Sequence, residues 1–183
     1  MIKRSLQQIA EESESSQNST ELAFLLEDVS VISPKVIVEI GVDRGGSIKT
    51  WFEAFSPDVI IGIENGTADQ VFVPNCRIVR GDSQDPRILE HVKSVLGERQ
   101  IDFLFIDGDH TYKAVKKDFE LYAPLVRRGG MIAFHDIGLD PVVDSRWVGL
   151  VEVKTLWEEI RDKYKYREYR SETGTGTGVI WHE

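Results

Sequence analysis

"FLFIDGDHTYKAVKKDFELYAPLVRRGGMIAFHD", residues 103–136, decides the fold. Two apolar runs bracket a segment in which Val115, Phe119, Tyr122 and Val126 fall along one helical face. Near-continuous apolar runs mark strands buried on both faces, as in parallel sheets. Strand, helix and strand in that order make a right-handed crossover unit. Each run stops in acids and a histidine: Asp107, Asp109 and His110 after the first, His135 and Asp136 after the second. In sheets built from such units, ligands bind in the crevice beyond the carboxyl ends of the strands. The polar residues are therefore expected on one rim.

The alternation continues on both sides. "KVIVEI" (35–40), "DVIIGIE" (58–64) and "CRIVRGD" (76–82) read as strands. "GGSIKTWFEAF" (45–55) reads as a helix stopped by Ser56 and Pro57. "DPRILEHVKSVLGE" (85–98) reads as another, with Pro86 in its first turn and Gly97 near its end. Downstream, Leu150, Val153, Trp157, Ile160 and Tyr164 share a helical face. Two short β-like runs, Lys165–Arg170 and Gly178–Trp181, close the chain around "TGTG". No helix follows those glycines, so a hairpin turn is preferred to a phosphate loop. Upstream, Asn18 with Glu21 reads as an N-cap with a capping-box partner, followed by Leu22, Leu25, Leu26 and Val29 at helical spacing. Residues 1–18 are polar and read as a solvated helix or a mobile arm. The pattern predicts one α/β domain over 1–183. Its sheet is doubly wound and mostly parallel, with a C-terminal antiparallel hairpin and helices on both faces.

Bulk properties narrow the partners. The chain has 183 residues, 41% of them hydrophobic, and a formal net charge of −9. That balance argues against general binding to nucleic acid or anionic membrane, which needs clustered Lys and Arg. The pairs at 116–117 and 127–128 are too short to change this. Cys76 is the single cysteine, so no internal disulfide forms and a reducing compartment fits. Its place at the start of an apolar run reads as a small core residue, not a nucleophile. The basic N-terminus is not followed by an apolar stretch, and no run approaches the ~20 apolar residues of a membrane span. The expected location is cytoplasmic.

Glu39, Glu64, Asp82, Asp107 and Asp136 end five consecutive strands. A single such acid is commonly a cap or turn residue, but five on one rim point to a site. "VEIGVDRGGS" (38–47) is glycine-rich and lies between a strand and a helix. Glycine there lets backbone approach a ligand, and the helix N-terminus supplies donors. It is not the dinucleotide pattern, and no phosphate-loop lysine follows, which argues against a nucleoside triphosphate site. A carboxylate at Glu64 can accept both hydroxyls of a ribose. Two carboxylates at Asp107 and Asp136, with waters and a substrate hydroxyl, suffice for magnesium. A histidine in the shell tilts the choice toward manganese, iron or zinc. Without a metal, Asp109 and Thr111 would cap the next helix and His135 would be hydrogen-bonded in the rim. His91 reads as surface, and Trp51, Trp157 and Trp181 as packing. Trp147, in the stretch 140–149, reads either as loop packing or as part of a substrate mouth.

"EIGVDRGGS", "GIE", "GDSQD", "IDGDH" and "GGMIAFHD", in that order, resemble class I S-adenosylmethionine-dependent methyltransferases. The likeness is to the branch with catechol O-methyltransferase-like, cephalosporin hydroxylase-like and macrolide-sugar O-methyltransferase members, and it covers about residues 20–183. It implies a single Rossmann-like domain that moves a methyl group to a hydroxyl of a sugar or other small metabolite. It implies that Glu39 and the loop carrying Gly41, Gly45 and Ser47 hold the methionine part of the cofactor. Glu64 would take the ribose, and Asp82, Ser83 and Gln84 would flank the adenine. Asp107 would serve both the cofactor and a divalent metal, magnesium, whose other ligands would be His135 and Asp136. His135 departs from the acid usual at its position. His110 stands where a lysine is the usual base. Oligomeric state is left open, a homo-oligomer included. Two other readings stay open: an iron-dependent hydroxylase built on His110, His135 and Asp107, and a non-catalytic cofactor-binding subunit.

Overall fold

The computed structural model describes residues 4–66, 72–139, 142–144, 149–172 and 174–183. Trp147 lies outside the described residues. The elements are α1 (Leu6–Glu11), α2 (Ser19–Ile32), β1 (Val36–Ile40), α3 (Gly46–Phe55), β2 (Val59–Glu64), β3 (Cys76–Arg80), α4 (Pro86–Leu96) and β4 (Ile101–Ile106). Then come α5 (Tyr112–Tyr122), β5 (Val126–His135), β6 (Val142–Asp144), β7 (Gly149–Val151), α6 (Val153–Ile160), β8 (Tyr166–Tyr169) and β9 (Thr177–Trp181).

Seven strands form one sheet in the order β3-β2-β1-β4-β5-β9-β8. Strands β1 to β5 pair in parallel, and β9 runs antiparallel to both β5 and β8. This is the expected doubly wound, Rossmann-like sheet with its antiparallel hairpin. The strand order reverses between β1 and β4, and ligand crevices open at such a switch point.

The central strands are buried on both faces. In β4, Phe103 and Phe105 pack on one side with Trp51, Leu25 and Leu26, while Leu104 and Ile106 pack on the other with Phe134, Tyr122 and Trp157. Trp51 meets the edges of both phenylalanines, at 5.3 and 5.4 Å between ring centroids. Each side chain of this size contributes roughly 1.5–3 kcal/mol by leaving water. The one polar residue of β4, Asp102, accepts from the Lys35 and Val36 amides and from Arg127.

Four details depart from the sequence reading. Val126 belongs to β5, not to the helix before it, because Pro124 ends α5 in a 3₁₀ turn over Ala123–Leu125. Leu150 lies in β7, and α6 covers only Val153–Ile160. Asn18 does cap α2, accepting from the Thr20 and Glu21 amides, while the Glu21 carboxylate is turned to the Ser171 and Gly176 amides. The N-terminal segment is docked, not a free arm. Ser5 and Gln8 form a true capping box on α1, and Ile9 and Ala10 are buried against α2 and α3.

Candidate active site

A cavity of about 1190 Å³ opens beyond the carboxyl ends of β1 to β5. Its wall includes Gly41, Ser47, Glu64, Asp82, Ser83, Gln84, Asp107, His110, His135 and Asp136. Strands β2 to β5 thus deliver their terminal acids to one space, and β1 contributes the glycine turn that follows it.

The turn after β1 is pressed onto the end of β4. Gly41 has φ +87°, and a Cβ there would lie 2.0 Å from the Asp107 carbonyl oxygen. The Gly41 amide donates to the Ile63 carbonyl at 2.9 Å, and the Asp107 amide donates to that of Ile40 at 2.8 Å. The three strand ends are therefore stitched together. Glu64 orders the same turn: Oε2 accepts from the Val42 and Asp43 amides at 2.8 and 3.0 Å, and Oε1 from Gly66 at 2.7 Å. A carboxylate has room for about four such bonds, so capacity for a ligand hydroxyl remains. At the end of β3, the Asp82 carboxylate accepts from the Gln84 amide. Ser83 donates to Asp118, whose carboxyl is pushed up to about 6 by burial.

Two expected members of the loop site turn out to act from beneath it. Glu39 is buried and outside the cavity wall. Its Oε1 accepts from the Ser47 hydroxyl and its Oε2 from Trp51 Nε1 at 2.6 Å. Burial pushes this carboxyl up to about 8. Strand alternation turns Glu39 toward Trp51 and away from the rim, so it braces α3 and does not face the cavity. Gly45 is the N-cap of α3 with φ +78° and is likewise outside the wall. Its left-handed backbone lets the loop enter the helix.

The acids and histidines of β4 and β5 form one cluster. Donor atoms of Asp107, His110 and Asp136 all lie within 4.8 Å of one another. His110 Nε2 is 3.4 Å from Asp107 Oδ1 and 3.5 Å from Asp136 Oδ2. Asp136 has φ +63°, a left-handed turn that brings its carboxylate back over the strand end. His135, the expected third ligand, lies against the same two acids. Its ring is buried, with Nδ1 at 3.2 Å from Asp107 Oδ1 and 3.3 Å from Asp136 Oδ1. Its Nε2 is 3.2 Å from Thr175 Oγ1. Both His135 nitrogens thus have protein partners within 3.3 Å, and both imidazoles converge on Asp107 Oδ1, His110 from 3.4 Å and His135 from 3.2 Å. Asp109 and Thr111 do cap the segment entering α5.

Charge follows from this packing. Burial opposes ionisation of Asp107, but His135 and His110 outweigh it and hold the carboxyl well below the usual carboxylate range. Burial likewise opposes protonation of His135, yet Asp107 and Asp136 push its imidazolium up to about 9. His110 is raised in the same way, burial again being outweighed by the two acids.

Three contributors went unread in the sequence. Glu14 to Asn18 line the cavity, and Gln17 Nε2 donates to Asp107 Oδ2 at 2.7 Å. The Ser5–Gln8 capping box could have shown that this segment is ordered. Gly174 and Thr175, in the loop between β8 and β9, also line the cavity. Glu21 holds that loop, accepting from the Ser171 and Gly176 amides at 2.8 and 3.1 Å. No local signal announces either contact.

Known proteins match this chain in sequence and in fold. A family model described as a methyltransferase domain matches residues 38–137. An uncharacterized protein of Acanthamoeba polyphaga mimivirus is 32% identical over 123 residues, covering 60% of this chain and 52% of that protein. Mycinamicin VI 2''-O-methyltransferase of Micromonospora griseorubida is 28% identical over 108 residues, covering 55% of this chain and 27% of that enzyme. The chain thus spans about half the length of the first relative and about a quarter of the second. Among solved structures, the MycE methyltransferase of mycinamycin biosynthesis, in complex with Mg and SAH, matches with a TM-score of 0.72 at 17% identity, over 99% of this chain and 55% of that one. The O-methyltransferase TomG of Streptomyces achromogenes, in complex with SAM, matches with a TM-score of 0.68 at 18% identity, over 100% of this chain and 92% of that one. At such identities the structural likeness establishes the fold.

Proposed function

The chain belongs to the methyltransferase-domain family, and on that premise we propose that it moves the sulfonium methyl of S-adenosylmethionine to a hydroxyl oxygen of a small molecule, with a magnesium ion at Asp107 and Asp136. The observation that carries this reading is one cavity wall holding both a glycine turn with its acidic rim and the Asp107–His110–Asp136 cluster. The cofactor would lie across three strand ends. The backbone of the Gly41–Ser47 loop would receive its methionine part, Glu64 the ribose hydroxyls, and Asp82, Ser83 and Gln84 the adenine. The relatives named mycinamicin VI 2''-O-methyltransferase and demethylmacrocin O-methyltransferase support an oxygen acceptor, which we read as sugar-like.

The donor set fits a divalent cation. Two carboxylates on adjacent strand ends supply hard oxygen ligands, and a nearby imidazole is also acceptable to manganese or zinc. When bound, the cation lowers the pKa of an acceptor hydroxyl and orients it. The methyl group is already activated by positive sulfur, so the protein's task is chiefly alignment. Asp107 and Asp136 fix where the acceptor oxygen sits. His110, at the mouth of that pair, takes the hydroxyl proton. The whole chain, 1–183, works as one domain.

The test is methyl transfer from labelled S-adenosylmethionine to a panel of sugar, polyketide-glycoside and catechol hydroxyls. Transfer should stop after exhaustive chelation and return with magnesium. His110→Ala should lower kcat by roughly a hundredfold or more. Full transfer after chelation would refute the cation, and near-normal turnover of His110→Ala would refute the base. Turnover that needs a 2-oxo acid and oxygen in place of the methyl donor would select the hydroxylase reading.

A further inference from the structure

Segment Glu14–Asn18 closes the cavity beside the start of α3. The approach is close: a Cβ on Gly46 would lie 2.5 Å from the Glu14 carbonyl and the Ser15 amide nitrogen. The segment is fastened to α3 at two points. Ser13 Oγ is 2.7 Å from Thr50 Oγ1, and Lys49 Nζ donates to Glu14 Oε2 at 2.6 Å.

Gln17 then reaches Asp107, with Nε2 donating to Oδ2 at 2.7 Å. An ionised carboxylate only accepts, so this contact fixes which way the amide faces. The amide nitrogen faces Asp107 and the carbonyl oxygen faces away. That oxygen, Gln17 Oε1, is buried and has no hydrogen-bond partner among the described residues. Buried acceptors without partners are rare, and one on a cavity wall calls for a donor on the ligand.

Asp107 is divided between two neighbourhoods. Its Oδ1 faces His110 and His135. Its Oδ2 faces Gln17, on the side where the glycine turn and the N-terminus of α3 lie. Under the reading above, the amino-acid end of the cofactor occupies that second side. The groups there are a carboxylate, an ammonium and a sulfonium. The carboxylate accepts and suits the amides at the start of α3. Only the ammonium donates.

We propose that Gln17 is a cofactor-binding residue: its carbonyl oxygen accepts a hydrogen bond from the cofactor's α-ammonium while its amide holds Asp107 in place. The N-terminal segment is then part of the cofactor site and not only a cover over it. This inference rests on the methyltransferase reading.

The experiment is calorimetry of wild type and Gln17→Met with two ligands, S-adenosylhomocysteine and methylthioadenosine. The second keeps adenine, ribose and thioether but lacks the amino-acid end. Gln17→Met should weaken S-adenosylhomocysteine by about ten- to a hundredfold, the loss expected for a charge-assisted hydrogen bond. Methylthioadenosine affinity should stay within about twofold, which also verifies that the variant folds. Unchanged S-adenosylhomocysteine affinity, or an equal loss for both ligands, would overturn the assignment while leaving the methyltransferase reading intact. Wild type binding neither ligand would overturn both.

Discussion

Asp107→Asn should lower methyl transfer by roughly a hundred- to a thousandfold, the scale seen when one electrostatic partner of a reacting oxygen is removed. The substitution keeps the shape of the side chain and removes its charge. The Asp107–Asp136 pair then has one negative charge instead of two, and a divalent cation binds far more weakly to it. The cofactor should suffer less. An asparagine carbonyl can still accept from Gln17 Nε2, which now bonds Asp107 Oδ2. Affinity for S-adenosylhomocysteine should therefore fall by less than about tenfold. The split between turnover and binding is the diagnostic result, measured by steady-state kinetics alongside calorimetry. Near-normal turnover in a folded Asp107→Asn protein would remove this residue from the chemistry.

Gly41→Ala should be the most damaging single methyl group that can be added to the site. Two costs add. An alanine at φ +87° is strained by about 1–2 kcal/mol. Its Cβ would also lie 2.0 Å from the Asp107 carbonyl oxygen, 2.5 Å from the carbonyl carbon and 2.8 Å from Gly108 Cα. These are backbone atoms that cannot rotate aside, so β1 and β4 must separate at their carboxyl ends. Overpacking of this kind costs a further 1–3 kcal/mol or so. At roughly 2–4 °C per kcal/mol for a chain this long, the melting temperature should drop by about 5–15 °C. Gly97→Ala is the control. Gly97 has φ +61°, but no atom stands within 4 Å of the place an alanine Cβ would take, so only the backbone strain remains. If the two variants melt together, the close approach of the strands is not what stabilises this turn.

The sheet could be read from the sequence because its strands are buried on both faces, which leaves apolar runs such as 103–106 and 131–134 unbroken. The rim could be read because each of five runs ends in an acid. What escaped depends on geometry that periodicity does not encode. Val126 and Leu150 stand at helical spacing, yet Pro124 breaks one helix and β7 takes the other residue. Glu39 ends a strand as the other acids do, but the inward side of the alternation hands it to Ser47 and Trp51. His110 and His135 both reach Asp107 and Asp136, a convergence from a loop and a strand end that spacing does not encode. Gln17 lies ninety positions from Asp107, and only the docking of α1 brings the two together.

The central claim is that this cavity is built for S-adenosylmethionine, and calorimetry with the demethylated product tests it most directly. S-adenosylhomocysteine, titrated into the purified chain with and without magnesium, should bind one to one with micromolar or tighter affinity. Glu64→Ala should weaken that binding by about ten- to a hundredfold, through lost ribose contacts and a loosened Val42–Asp43 turn. No detectable binding by the folded wild type, with or without magnesium, would contradict the account.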